Sequence, residues 1–64
     1  MKDLKVLYRI EIVEITKYYG NIERISSPVY SIDDLKTKVE RFMIDFNDML
    51  KDRNRYYIKI IVMN

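Results

Sequence analysis

The sequence predicts an α+β domain. Its elements run ββαβ, as a three-stranded antiparallel sheet of order 2-1-3 with one amphipathic helix packed on one face. Three observations predict this. Apolar and polar residues alternate across Tyr8–Ile12, and β-branched and aromatic residues crowd Tyr56–Met63, which is how strands read. Between those segments apolar residues recur at steps of three and four, the spacing of a helix with one buried stripe. The single Gly and the single Pro fall between the periodic runs, where turns are needed.

The first strand spans Leu4 to Tyr18. Val6, Tyr8, Ile10 and Ile12 alternate with Arg9 and Glu11. From Val13 the apolar phase moves to the opposite parity, with Val13 and Ile15. A bulge near Ile12–Glu14 accounts for that change, and so does a strand apolar on both faces. Tyr19-Gly20-Asn21 then forms a hairpin turn, because Gly and Asn tolerate positive φ. A short second strand covers Ile22–Ser26, and Pro28 ends its ladder because it has no N–H to donate.

Ser31 is the expected helix N-cap, with Asp34 in the place of the capping-box acid. Tyr30 and Leu35 have the spacing of a hydrophobic staple. Leu35, Val39, Phe42, Met43, Phe46, Met49 and Leu50 draw the apolar stripe of one helix from Ile32 to Arg53. Asp33 and Asp34 sit at its positive end, Lys51 and Arg53 at its negative end. The last strand, Tyr56–Met63, has Lys59 as its only charge. Strand 3 returns beside strand 1 by a right-handed crossover, which leaves the long first strand in the centre.

The 64 residues make one domain, 1–64. A chain this short buries only about 60% of its unfolded surface, so its stability margin is thin. There is no Cys and no His. That excludes disulfides and the thiolate or imidazole sites of zinc, iron and copper. The apolar share of 48% is too high for a disordered tail. A net charge of +2 is modest for a dedicated nucleic-acid binder and wrong in sign for a DNA mimic. No apolar run reaches transmembrane length and no signal peptide opens the chain, so a cytoplasmic protein without a membrane partner is expected. Ile, Lys, Tyr and Asn, which have AT-rich codons, make up 27 of the 64 residues. A phage or other mobile element would carry such a gene.

Chemistry is sparse. No nucleophile has a base, and one Gly cannot build a phosphate loop. Asp33-Asp34 is explained as a helix start. Asp45, Asp48 and Asp52 read as a solvated face interleaved with Arg41 and Lys51. The expectation is no enzyme activity, no catalytic or metal-binding residue and no cofactor.

Two surfaces are left over. One helix covers one face of the sheet, yet Tyr57, Ile61 and Met63 of strand 3, with Leu7, Val13 and Ile15 of strand 1, point to the other. A second group shares one pole: Lys17, Tyr18, Tyr19 and Asn21 at the hairpin tip, and Lys51, Arg53, Asn54, Arg55 and Tyr56 after the helix. Tyr and Arg are hot-spot residues. Tyr18, Tyr19, Asn21, Arg53, Arg55, Tyr56, Tyr57, Ile61 and Met63 are therefore the candidate partner-binding residues. The reading they favour is a small protein-binding accessory module, an inhibitor or adaptor that occludes a larger host protein. A nucleic-acid binder using the pole is one alternative, and a purely structural homodimer is another.

Overall fold

The computed structural model describes residues 5–63. Its elements are β1 (Tyr8–Thr16), β2 (Gly20–Val29), α1 (Ile32–Asp45), α2 (Asn47–Leu50) and β3 (Tyr56–Val62). The strands form one antiparallel sheet of order β2-β1-β3, with one main helix packed against it. The expected α+β architecture and strand order are both present. Leu4, the expected start of the first strand, lies outside the described residues.

The core follows the parity of β1. Ile10, Ile12, Val29 and Phe42 are buried, and Tyr8, Ile25, Leu35, Val39, Phe46 and Ile58 pack around them. The pairing of β1 with β3 is unbroken from Tyr8↔Val62 to Glu14↔Tyr56. Even-numbered residues of both strands therefore face the helix, and odd-numbered ones face away. The phase change at Val13 has two causes acting together. Val13 is an ordinary open-face residue of β1, and the pairing with β2 slips between Ile12 and Val13. Ile12 opposes Ile25 and Val13 opposes Glu23, so the extra residue of the bulge is Arg24 of β2, not a residue of β1.

The turn and the second strand differ from expectation. Residues 17–19 form the loop and Gly20, with φ +72°, closes it opposite Thr16. This is a three-residue hairpin loop with glycine in the left-handed position. The Thr16 hydroxyl donates to the Gly20 carbonyl at 2.6 Å and accepts from the Tyr19 N–H at 3.0 Å. Pro28 does not end the ladder. It lies inside β2 opposite Arg9, on an edge strand, where a missing N–H costs no pairing.

The helix is two pieces. Ser31 caps α1 by accepting from the Asp34 N–H at 3.0 Å, as its sequence position predicts. At Phe46, with φ −117° and ψ +31°, the backbone leaves helical geometry, and α2 restarts at Asn47. The expected single helix to Arg53 is thus bent. Phe46 stacks edge-on to Phe42 at 5.5 Å, and Phe46, Met49 and Leu50 all stay packed against the core. The bend directs α2 onto β3, whereas α1 rests on β1 and β2.

Candidate functional site

The two groups expected to share one pole do meet. The β1–β2 loop and the α2–β3 connection lie at one end of the sheet. The Ile15 N–H donates to the Arg55 carbonyl at 2.7 Å, and Asn21 Nδ2 donates to the Tyr57 hydroxyl at 3.1 Å.

Beneath this pole sits Glu14, whose exposure is only 5%. Arg24 Nε donates to Oε1 at 2.7 Å, and Arg55 Nε donates to Oε2 at 2.8 Å. The hydrogen bond from Arg55, followed by that from Arg24, holds the Glu14 carboxyl below its ordinary range, against the opposing effect of burial. The bulge is what brings Arg24 here: two β2 residues opposing one tilt the extra side chain toward the carboxylate. Arg55 also lies 5.3 Å from the centre of the Tyr56 ring. Arg55 is thereby tied into the scaffold, and Tyr56 packs against the core. Both support the pole more than they present themselves to a partner.

Tyr18 and Tyr19 are different. They stand 83% and 82% exposed at the loop, with Lys17 Nζ 6.0 Å from the Tyr18 ring centre. Arg53 is also exposed. It borders a groove of about 600 Å³ together with Met43, Leu50, Lys51, Tyr56 and Ile58. Tyr18 and Tyr19 adjoin Asn21 in the chain, Asn21 bonds Tyr57, and Tyr57 lines the same groove as Arg53. Ile61 and Met63 do not belong to it. They lie four and six residues along from Tyr57, roughly 13 and 20 Å at strand spacing.

The open face of the sheet is not one apolar surface. Arg9 opposes Ile61 and Glu11 opposes Lys59, so charge crosses its middle. Arg9 Nε reaches Glu11 Oε2 at 3.7 Å, and Ser26, opposite Glu11, adds a buried hydroxyl. Leu7, Ile61 and Met63 are left as one patch, and Ile15 with half-buried Tyr57 as another, while Val13 is itself buried. The sequence held the signal, because Arg9 and Glu11 share the parity of Val13.

Two features lay outside the sequence reading. Glu14 has the core parity of Ile10 and Ile12, and a charge in that phase was the available clue. The other is on the helix side. Because α1 rests on β1 and β2, it leaves Ile60 48% and Val62 64% exposed on β3. Ile32, Leu35 and Val39 of α1 face Ile60 across a groove of about 470 Å³, bordered by Lys36 and Glu40.

Among the described residues no cluster of three or more acidic side chains is placed to hold a metal ion. Among the described residues no helix is long and apolar enough to cross a membrane. Comparison with protein families, curated proteins and solved structures finds no match.

Proposed function

We propose that this chain is a non-catalytic module that binds a larger protein through the tyrosine-bearing pole and acts by occluding it. The observation that carries the reading is the pair Tyr18 and Tyr19. Two adjacent aromatic side chains stand almost wholly in water on a loop that other bonds brace. Neither contributes to the core. Aromatic rings presented on a rigid scaffold lose little entropy on docking and bury much apolar area. Arg53, exposed at the groove that Tyr57 also lines, adds a cation able to fork onto a carboxylate. The mobile-element origin suggested by composition suits such an occluding module.

A second reading rests on Lys17 beside the Tyr18 ring, and on Lys51 and Arg53 along the groove. Rings and cations together also suit single-stranded nucleic acid, with stacking on bases and charge on phosphates.

Cross-linking in the native cell, followed by purified binding, separates the two. A protein target should bind the wild type and lose about tenfold or more in affinity with Tyr19→Ala, as hot-spot truncations do. Its affinity should change little with salt. Binding to a single-stranded oligonucleotide that weakens steeply with salt supports the second reading. Equal binding by wild type and a folded Tyr18→Ala, Tyr19→Ala double variant overturns both.

A further inference from the structure

The outer edge of β3 is where the structure leaves the most unmade. In the antiparallel ladder between β1 and β3, Met63 N–H bonds the Leu7 carbonyl and Ile15 N–H bonds the Arg55 carbonyl. Odd-numbered residues of β3 therefore point their backbone groups at β1. The groups of the even-numbered residues, Ile58, Ile60 and Val62, point outward, because bonded and non-bonded pairs alternate. Tyr56 N–H is taken by the Asp52 carbonyl at 2.9 Å. Among the described residues no bond reaches the outward groups of Ile58, Ile60 or Val62. The side chains of Ile60 and Val62 are exposed beside them. A seven-residue strand with one charge and no Pro, bulge or cover is a pairing surface.

We infer that this edge pairs with the same edge of a second copy. The two β3 strands run antiparallel about a twofold axis at Ile60, and two sheets become one of six strands. The register follows from charge and from which groups are free. Centring on Lys59 would set two ammonium groups directly opposite each other. Centring on Ile60 places Lys59 against Ile61 of the second copy, with its own Glu11 still opposite it on β1. This register pairs Ile60 with Ile60 and Ile58 with Val62. It satisfies all the free groups of the three residues with about six hydrogen bonds, two per bonded pair. On the helix side the exposed Ile60 and Val62 side chains cover each other beside Ile32, and Val62 of the second copy lies against Ile58 at the border of the larger groove.

A further observation favours a second copy as the occupant: the assembly closes. The outer strands of the six would be β2 strands, and that edge is obstructed at Pro28, where Lys38 donates to the outward carbonyl. A twofold contact between open edges, ended by obstructed ones, gives a dimer and not a filament.

The test is the mass of the purified chain over a wide dilution series, with amide hydrogen exchange of the same samples. Expected is twice the 7.9 kDa of the chain, dissociating on dilution, with Ile58, Ile60 and Val62 amides protected in the dimer and fast in the monomer. Ile60→Lys, at a side chain already half exposed, should give a folded monomer, while Tyr19→Ala should stay dimeric. Nitroxide labels on Ile60→Cys, in a chain with no other cysteine, should lie within about 15 Å of each other, given a Cα separation near 5.5 Å in a bonded pair. A monomer at every concentration overturns the proposal. So does a dimer in which those three amides exchange fast or the labels lie far apart. If Ile60→Lys fails to fold, the exchange pattern of the wild type decides alone. Because Tyr19 is remote from this edge, loss of target binding and loss of the dimer are separable results.

Discussion

The sheet has two edges, and they are built in opposite ways. β2 carries Pro28, a bulge at Arg24 and two adjacent charges, Glu23 and Arg24. At Pro28 the outward position has no N–H, and its carbonyl is taken by the Lys38 ammonium. Lys38 is itself held by the Ser27 hydroxyl at 3.0 Å, by Asp34 at 3.9 Å and by the face of the Tyr30 ring. β3 has none of these devices. Its composition is what a central strand would have, yet it lies outermost. The contrast teaches that edge protection is local and chemical. One proline and one lysine obstruct a strand that β-propensity alone would leave open.

Removing the obstruction should have the largest effect. Pro28→Val with Lys38→Ala restores a donor and frees a carbonyl on β2. Each copy then has two open edges, and the contacts no longer close. Sedimentation should show a continuous run of larger species at concentrations where the wild type is a single one. A discrete species with the wild-type mass would show that β2 is guarded by something else.

The next effect is at the brace between the edges. Glu14 connects the bulge arginine of β2 to the arginine that precedes β3. Its carboxyl is held below its ordinary range, so its contribution is complete above that range. It is lost as pH falls through the lowered value. The melting temperature should therefore drop as pH goes from neutral to below about 4. Glu14→Gln should melt lower at neutral pH and lose part of that acid slope. An unchanged slope would assign acid sensitivity to other carboxylates.

Two smaller changes test how the obstructed edge is set up. Gly20→Ala meets no atom within 4 Å of the new Cβ, so its cost is the left-handed backbone alone, about 1–2 kcal/mol in urea unfolding. Ser31→Ala removes the cap that starts the helix carrying Lys38, at about 1 kcal/mol by the same measurement. Neither should alter the mass of the assembly.

Much of this fold can be read from the sequence, for identifiable reasons. The period of Tyr8–Ile12, the cap at Ser31 and the run Tyr56–Val62 each carry their signal within a few residues. So does the meeting of the hairpin tip with the α2–β3 connection, because topology compels it. What escaped was relational. The bulge was foreseen at the right height on β1, but its extra residue belongs to the partner strand, and a phase change in one strand does not tell which of two strands is longer. The bend at Phe46 breaks no apolar period, since Met49 and Leu50 keep the stripe. Lys38 reads as one more surface cation until the helix is laid over β2. Position over the sheet also decides that Ile60 and Val62, in the phase of the core, stay uncovered.

The placement of the hairpin loop has one more consequence. Tyr18 and Tyr19 lie at the end of the sheet where β3 begins, and an antiparallel junction through β3 sends those ends in opposite directions. Two copies so joined become a double-headed ligand, with reach set by rigid strands and not by a tether. Such an object would prefer targets that repeat themselves, a symmetric enzyme or a lattice. Two modest grips at a fixed span would then hold far longer than either alone.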